Sequence, residues 1–142
     1  MNKKILILCT GNSCRSQMAE GFLRSFDNSL EVYSAGTLPA KEVNPNSILV
    51  MKEIGIDISS HKPNDVLDYI NDSFDYVITV CDNAKEACPV FTGKVKHNLH
   101  LGFPDPADAK GSKEKILNEY REVRDDIKSS FNYFYDTKLK NK

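Results

Sequence analysis

Cys9 and Arg15 are separated by five residues, Thr10, Gly11, Asn12, Ser13 and Cys14, and Ser16 follows directly. This C-x5-R spacing suits anion capture by a loop that carries a thiol. Five intervening residues let the backbone curl until successive N–H groups point at one tetrahedral oxyanion. A helix opening near Ser16 adds its positive end. Arg15 closes the ring with a planar fork matched to two oxygens of one anion. The same field favours a thiolate at Cys9, below the ~8.5 of a free thiol, and Ser16 is placed to donate a hydrogen bond to that sulfur. Gly11 is expected to supply a positive φ, with Asn12 able to tolerate one. Cys9 is the candidate nucleophile and residues 10–16 are the candidate oxyanion-binding loop.

Two further features bear chemistry. Asp105 stands between Pro104 and Pro106, which restrict its backbone. A carboxyl beside an anion can hand a proton to a leaving oxygen, although Asp-Pro is also an ordinary turn. Cys81 and Cys88 form a second cysteine pair. With His97 and His100 they make a possible zinc set, C-x6-C-x8-H-x2-H, but this lacks the short C-x2–4-C knuckle of structural zinc sites. Cys14, inside the loop, reads as a small packed thiol.

The elements that must position these residues follow from the hydropathy pattern. The run Ile5-Leu6-Ile7-Leu8 after two lysines reads as a buried strand of a parallel sheet. A helix is expected over residues 16–26, a strand over 30–35 ended by Gly36, and a helix over 44–54 capped by Asn44-Pro45 and stopped by Gly55. Strands follow over 74–80 and 94–101, then an irregular loop over 102–107 with two prolines. A long helix spans 112–135, where Ile116, Tyr120, Val123, Ile127, Phe131 and Phe134 form one stripe. Residues 138–142 read as a frayed basic tail. Strands alternating with helices imply one α/β domain over residues 1–142, a mostly parallel sheet of these four strands with helices on both faces and ligands beyond the strands' carboxyl ends.

Composition narrows the function classes. With 142 residues, 40% apolar and 27% charged, the chain has enough apolar side chain for a core. Lys+Arg total 19 against Asp+Glu 20, a net charge of −1, so no bulk positive charge is available to grip nucleic acid or anionic lipid. Apolar stretches reach about five residues against the roughly 20 needed to cross a bilayer, and no signal peptide is read at the start. The expectation is a cytoplasmic monomer. Four cysteines in a reducing compartment then point to catalysis, redox chemistry or metal binding rather than to staples.

The segment CTGNSCRSQMAEG resembles the low-molecular-weight protein tyrosine phosphatase fold, in its thioredoxin-coupled arsenate reductase branch. The similarity continues through residues 32–36, Asn44-Pro45, 51–53, 56–59, 77–89 and 102–106, and more weakly through 120–125. The resemblance sharpens the fold to a four-stranded parallel sheet, and implies Cys9 as nucleophile, Arg15 as oxyanion clamp and Asp105 as general acid. It further implies a relay through a Cys9–Cys81 and then a Cys81–Cys88 disulfide, with thioredoxin as reductant. A phosphatase acting on small phosphate esters is the first rival, and a non-catalytic anion- or zinc-binding module the second. Ala107-Asp108-Ala109 replaces the aromatic residues that flank a phenyl ring in tyrosine phosphatases, which favours a small bare oxyanion. Asn12, Glu20 and Ser34 match positions that bind potassium in some members, while the fourth, acidic position falls on Asn64 beside Asp65. Residues 82–88 contain good helix formers. A helix there would hold Cys81 and Cys88 about 10 Å apart along its axis, beyond the roughly 4.4–6.8 Å of a disulfide, so the pair closes only when the segment unwinds.

Overall fold

The apolar run behind Lys3 and Lys4 becomes the most deeply buried strand, β1 (Lys4–Cys9), whose last five residues are all buried. The structure is a computed structural model that describes residues 2–82, 86 and 88–140. After β1 come α1 (Arg15–Phe26), β2 (Glu31–Gly36), α2 (Pro45–Lys52), β3 (Ser73–Thr79), β4 (Lys94–His100) and α3 (Lys113–Phe134). The sheet order is β2-β1-β3-β4 with every pairing parallel. β1 and β3 take the centre, which suits the unbroken aliphatic run of β1 and the buried Phe74, Val77 and Ile78 of β3. β4 lies at the edge, and its Lys94, Lys96 and His97 are charged or polar, as an open edge requires.

Strand alternation divides the core in two. Ile5, Ile7, Ile78 and Val80 face α1, α2 and α3, where Met18, Phe22, Met51, Ile127 and Phe131 pack against them. Leu6, Leu8, Ala35 and Val77 face the other side with Phe74 and Phe91. The helices expected on both faces are thus distributed unevenly. All three long helices lie over the first face, and the second is crossed by the returning chain through a single 3-10 turn, Val66–Asp68. Residues 61–72 carry Pro63 and several Asp and Asn side chains, which favour turns over a long helix. Asp65 caps that turn by accepting from Leu67 N at 2.9 Å.

The helix ends follow their chemistry. Asn44 Oδ1 accepts from Asn46 N at 2.8 Å and Ser112 Oγ from Lys115 N at 3.2 Å. α2 stops at Lys52, two residues before the expected end, and Gly55 takes φ 84° in the turn beyond. The tail expected to fray over 138–142 is corrected for its described part, residues 141–142 lying outside the described residues: Tyr135–Leu139 continues α3 as a wider π turn, with Leu139 buried and Tyr135 Oη donating to Asp27 at 2.9 Å. Among the described residues no helix is long and apolar enough to cross a membrane.

Gly36, at the end of β2, approaches the loop after β1 more closely than any side chain permits. A Cβ there would lie 2.9 Å from the carbonyl carbon of Thr10 and closer still to its oxygen. Both contacts are backbone, so neither can swing aside. Gly36→Ala is expected to cost about 1–3 kcal/mol, the usual range for overpacking, and to weaken phosphate binding at the displaced loop. Urea unfolding and calorimetric titration with phosphate check both effects.

Candidate active site

The loop between β1 and α1 is held from outside. Leu38 N, Ala40 N and Asn44 N donate to the carbonyls of Thr10, Gly11 and Ser13 at 3.0, 2.9 and 2.9 Å. In a trans peptide the next N–H points the opposite way, so the amides of Gly11, Asn12 and Cys14 are directed away from that outer segment. The left-handed residue is Asn12 at φ 51°, and Gly11 does not have a positive φ. This corrects the expectation, and the cause is the Asn12 side chain. Its Oδ1 accepts from Asn64 N at 2.8 Å and Gln17 Nε2 at 3.1 Å, and its Nδ2 donates to Ser16 Oγ at 2.7 Å and Ser34 Oγ at 2.9 Å. All four positions of the amide are used, which no glycine could supply.

Inside the loop lies a cavity of about 210 Å³, lined by residues 9–15 with Glu86 and Asp105. Arg15 is 3% exposed. Its Nη1 donates to the Glu86 carboxylate and to the Phe103 carbonyl at 3.1 Å. Its Nη2 lies 3.2 Å from Glu86 Oε2 and 3.5 Å from Asp105 Oδ2. Nε is buried with no hydrogen-bond partner among the described residues, a donor whose desolvation is uncompensated until an acceptor enters. Asp105 is fixed by its own turn, accepting from Ala107 N at 3.0 Å.

The fold gathers the predicted residues beyond the carboxyl ends of β1, β3 and β4. Val80 N donates to Leu8 O at 3.0 Å, so β3 stays beside β1 up to the residue before Cys81. Leu101 N and Phe103 N donate to Thr79 O and Val80 O, which brings the Asp105 loop to the same place. Cys81 and Cys88 are joined in a disulfide with Cα atoms 5.8 Å apart. Cys9 and Cys14 are buried free thiols. The helix expected over residues 82–88 of the reduced protein lies largely outside the described residues.

Electrostatics bring one reversal. Burial pushes the Cys9 thiol up. Arg15 and a hydrogen bond from the Thr10 backbone pull it down, and the carboxylates of Glu86 and Asp105 push it further up. The thiolate-favouring pull of Arg15 is thus present, but burial outweighs it and leaves the Cys9 thiol raised in this state, contrary to the expectation. Burial likewise raises Cys14. The Arg15 guanidinium, followed by burial acting in the opposite sense, holds Glu86 below the ordinary carboxylate range on balance. Glu86 is the residue that the sequence reading missed. An acid among helix formers carries no sequence signal that it will reach an arginine 71 positions away.

The residues matched to a potassium site are together, but their oxygens already face donors. Glu20 accepts from Ser34 Oγ at 2.6 Å and from Arg24 Nε at 2.9 Å, with His61 Nδ1 at 3.7 Å. Asn12 Oδ1 is doubly occupied as above, and Asn64 supplies an uncharged amide. As bonded here the set does not fit a cation, and the Arg24 guanidinium stands against Glu20 instead. The zinc set loses two thiolates to the disulfide, and His97 stacks on Tyr76 with ring centroids 5.0 Å apart.

A thiol-bearing anion loop closed by an arginine on a four-stranded parallel sheet defines a phosphatase-like class. The chain belongs to the low molecular weight phosphotyrosine protein phosphatase family, whose model matches residues 4–142. It is 45% identical over 139 residues to an arsenate reductase of Halalkalibacterium halodurans, covering 96% of this chain and 99% of that protein. It is 44% identical over 138 residues to an arsenate reductase of Bacillus subtilis, covering 96% and 97%. Among solved structures, an arsenate reductase in the phosphate binding state superposes with TM-score 0.75 at 28% identity, covering 94% of this chain and 97% of that one. A tyrosine phosphatase of Erwinia amylovora shares the fold at TM-score 0.72 and 16% identity, covering 96% and 93%.

Asn12→Ala removes all four amide hydrogen bonds and leaves a β-carbon residue at positive φ. A loss of at least about 2 kcal/mol of stability is expected, with phosphate binding lost as well. Urea denaturation read beside phosphate titration checks this.

Proposed function

We propose that this chain reduces arsenate to arsenite through a relay of Cys9, Cys81 and Cys88 that thioredoxin regenerates. The observation that carries the reading is the Cys81–Cys88 disulfide at the end of β3, next to the strand that bears Cys9. Ester hydrolysis needs one thiol and one acid. A second thiol pair beside them has a use in electron transfer. The arsenate reductases among its relatives, similar over nearly the whole chain, support the same substrate.

The steps balance as follows. The Cys9 thiolate attacks As(V), an As–S bond forms, and one oxygen departs as water with a proton from Asp105 while Arg15 holds the remaining oxygens. Cys81 then attacks the Cys9 sulfur as a thiolate. The S–S bond forms as the As–S bond breaks, and its electron pair stays on arsenic, which leaves as arsenite. Cys88 attacks Cys81, freeing Cys9 as a thiolate and closing Cys81–Cys88. The thioredoxin dithiol reduces that disulfide and becomes oxidised in turn. The reading places the protein in the cytoplasm as a monomer, where such a disulfide is transient.

Arsenate-dependent NADPH oxidation with thioredoxin and thioredoxin reductase tests the proposal. Ester hydrolysis without NADPH turnover would make the chain a phosphatase. Cys9→Ser is expected to abolish both activities, whereas Cys81→Ser and Cys88→Ser stop reductive turnover and spare ester hydrolysis. Full turnover in either of the latter two variants removes the relay.

Asp105→Asn is expected to slow the first chemical step by roughly 10²–10⁴-fold, the usual range for a general acid. Single-turnover kinetics at saturating arsenate measure it, and an unchanged rate would leave Asp105 as a turn residue.

A further inference from the structure

Glu86 stands two positions before Cys88, within the ring that the Cys81–Cys88 disulfide closes. Its carboxylate meets both terminal nitrogens of Arg15, one oxygen to each. That is the two-point geometry by which a guanidinium takes an oxyanion. Oε1 also accepts from Asp82 N at 2.8 Å, which ties the carboxylate to the start of the same ring. The Phe103 carbonyl takes a third terminal hydrogen and the Asp105 carboxylate lies 3.5 Å from Nη2, so among the described residues Nε is the one guanidinium nitrogen left without a partner for an arriving anion. Charge points the same way. Arg15 contributes one positive charge, and Glu86 and Asp105 contribute two negative ones at the mouth of one cavity.

We propose that Glu86 is an internal competitor of the oxyanion: while the Cys81–Cys88 disulfide is closed, its carboxylate holds the Arg15 clamp and keeps arsenate or phosphate from binding. The meaning of this for turnover rests on the relay proposed above. In the oxidised enzyme, arsenate attached to Cys9 would find no free thiol at Cys81 to resolve it. A carboxylate delivered by the disulfide ring prevents that dead end. Reduction opens the ring and releases the tether on Glu86. Arg15 then offers its fork to substrate and its charge to Cys9, whose thiol Glu86 otherwise helps to keep protonated.

The test is calorimetric titration of the full-length protein with inorganic phosphate, in the reduced form and with Cys81–Cys88 quantitatively oxidised. Wild type, Glu86→Gln and Glu86→Ala are compared. If Glu86 holds the clamp for about nine-tenths of the time, the oxidised wild type binds phosphate about tenfold more weakly than the reduced form. Both variants should close most of that gap, and alkylation of Cys9 by iodoacetamide, mapped by mass spectrometry, should be faster in their oxidised forms than in oxidised wild type. Equal affinity of the two wild-type forms, or a gap unchanged in both variants, overturns the proposal. Thioredoxin-coupled turnover of the wild type is measured separately. A gap that closes in the variants without any turnover keeps the Glu86 competitor and discards the relay, and turnover without a gap does the reverse.

Discussion

An arginine stays protonated at any pH a folded protein meets, and Arg15 is 3% exposed. A permanent charge taken out of water requires an acceptor or an anion against it throughout. The architecture around it can be read as the means of meeting that demand. The Phe103 carbonyl, Asp105 and Glu86 come from two separate loops, and each reaches Arg15 because β3, beside β1, and β4, beyond it, end at the same level. The buried Nε is the one guanidinium nitrogen without a partner among the described residues.

Parallel pairing makes this convergence possible. Leu8 stands opposite Thr79 across β1 and β3, and Thr79 opposite His100 across β3 and β4. Chains leaving three parallel strands at one level deliver Cys9, Cys81 and the Asp105 loop to one end of the sheet. In an antiparallel arrangement neighbouring strands end at opposite sides. The change of direction between β1→β2 and the step to β3 also leaves the crevice in which such sheets bind ligands.

Much of this was legible in the residues. Cys9, Arg15 and the helix behind them follow from spacing and apolar period, and β1 declares itself by an unbroken run of four aliphatic residues after Lys4. What escaped depends on long-range packing. Gly36 reads locally as a strand stop, but its necessity comes from Thr10, 26 positions earlier in the chain. Asn12 rather than Gly11 takes the left-handed turn because partners from α1, β2 and residue 64 surround its amide. The loop alone favours a thiolate at Cys9, whereas burial outweighs the pull of Arg15 and two carboxylates from other segments add to the rise. Leu139 belongs to the core only because α3 continues far enough to carry it back onto the helical layer.

The saturated amide of Asn12 also bears on affinity. A loop that curls only around its ligand must lose conformational freedom on binding, and that loss is subtracted from the free energy of association. Here the curl is stabilised from within by four side-chain hydrogen bonds and from outside by three carbonyl contacts. Ordering takes place once, when the chain folds. Oxyanion affinity is then governed by dehydration and charge, quantities that respond to the ionic strength and pH of the surroundings rather than to the entropy of the loop.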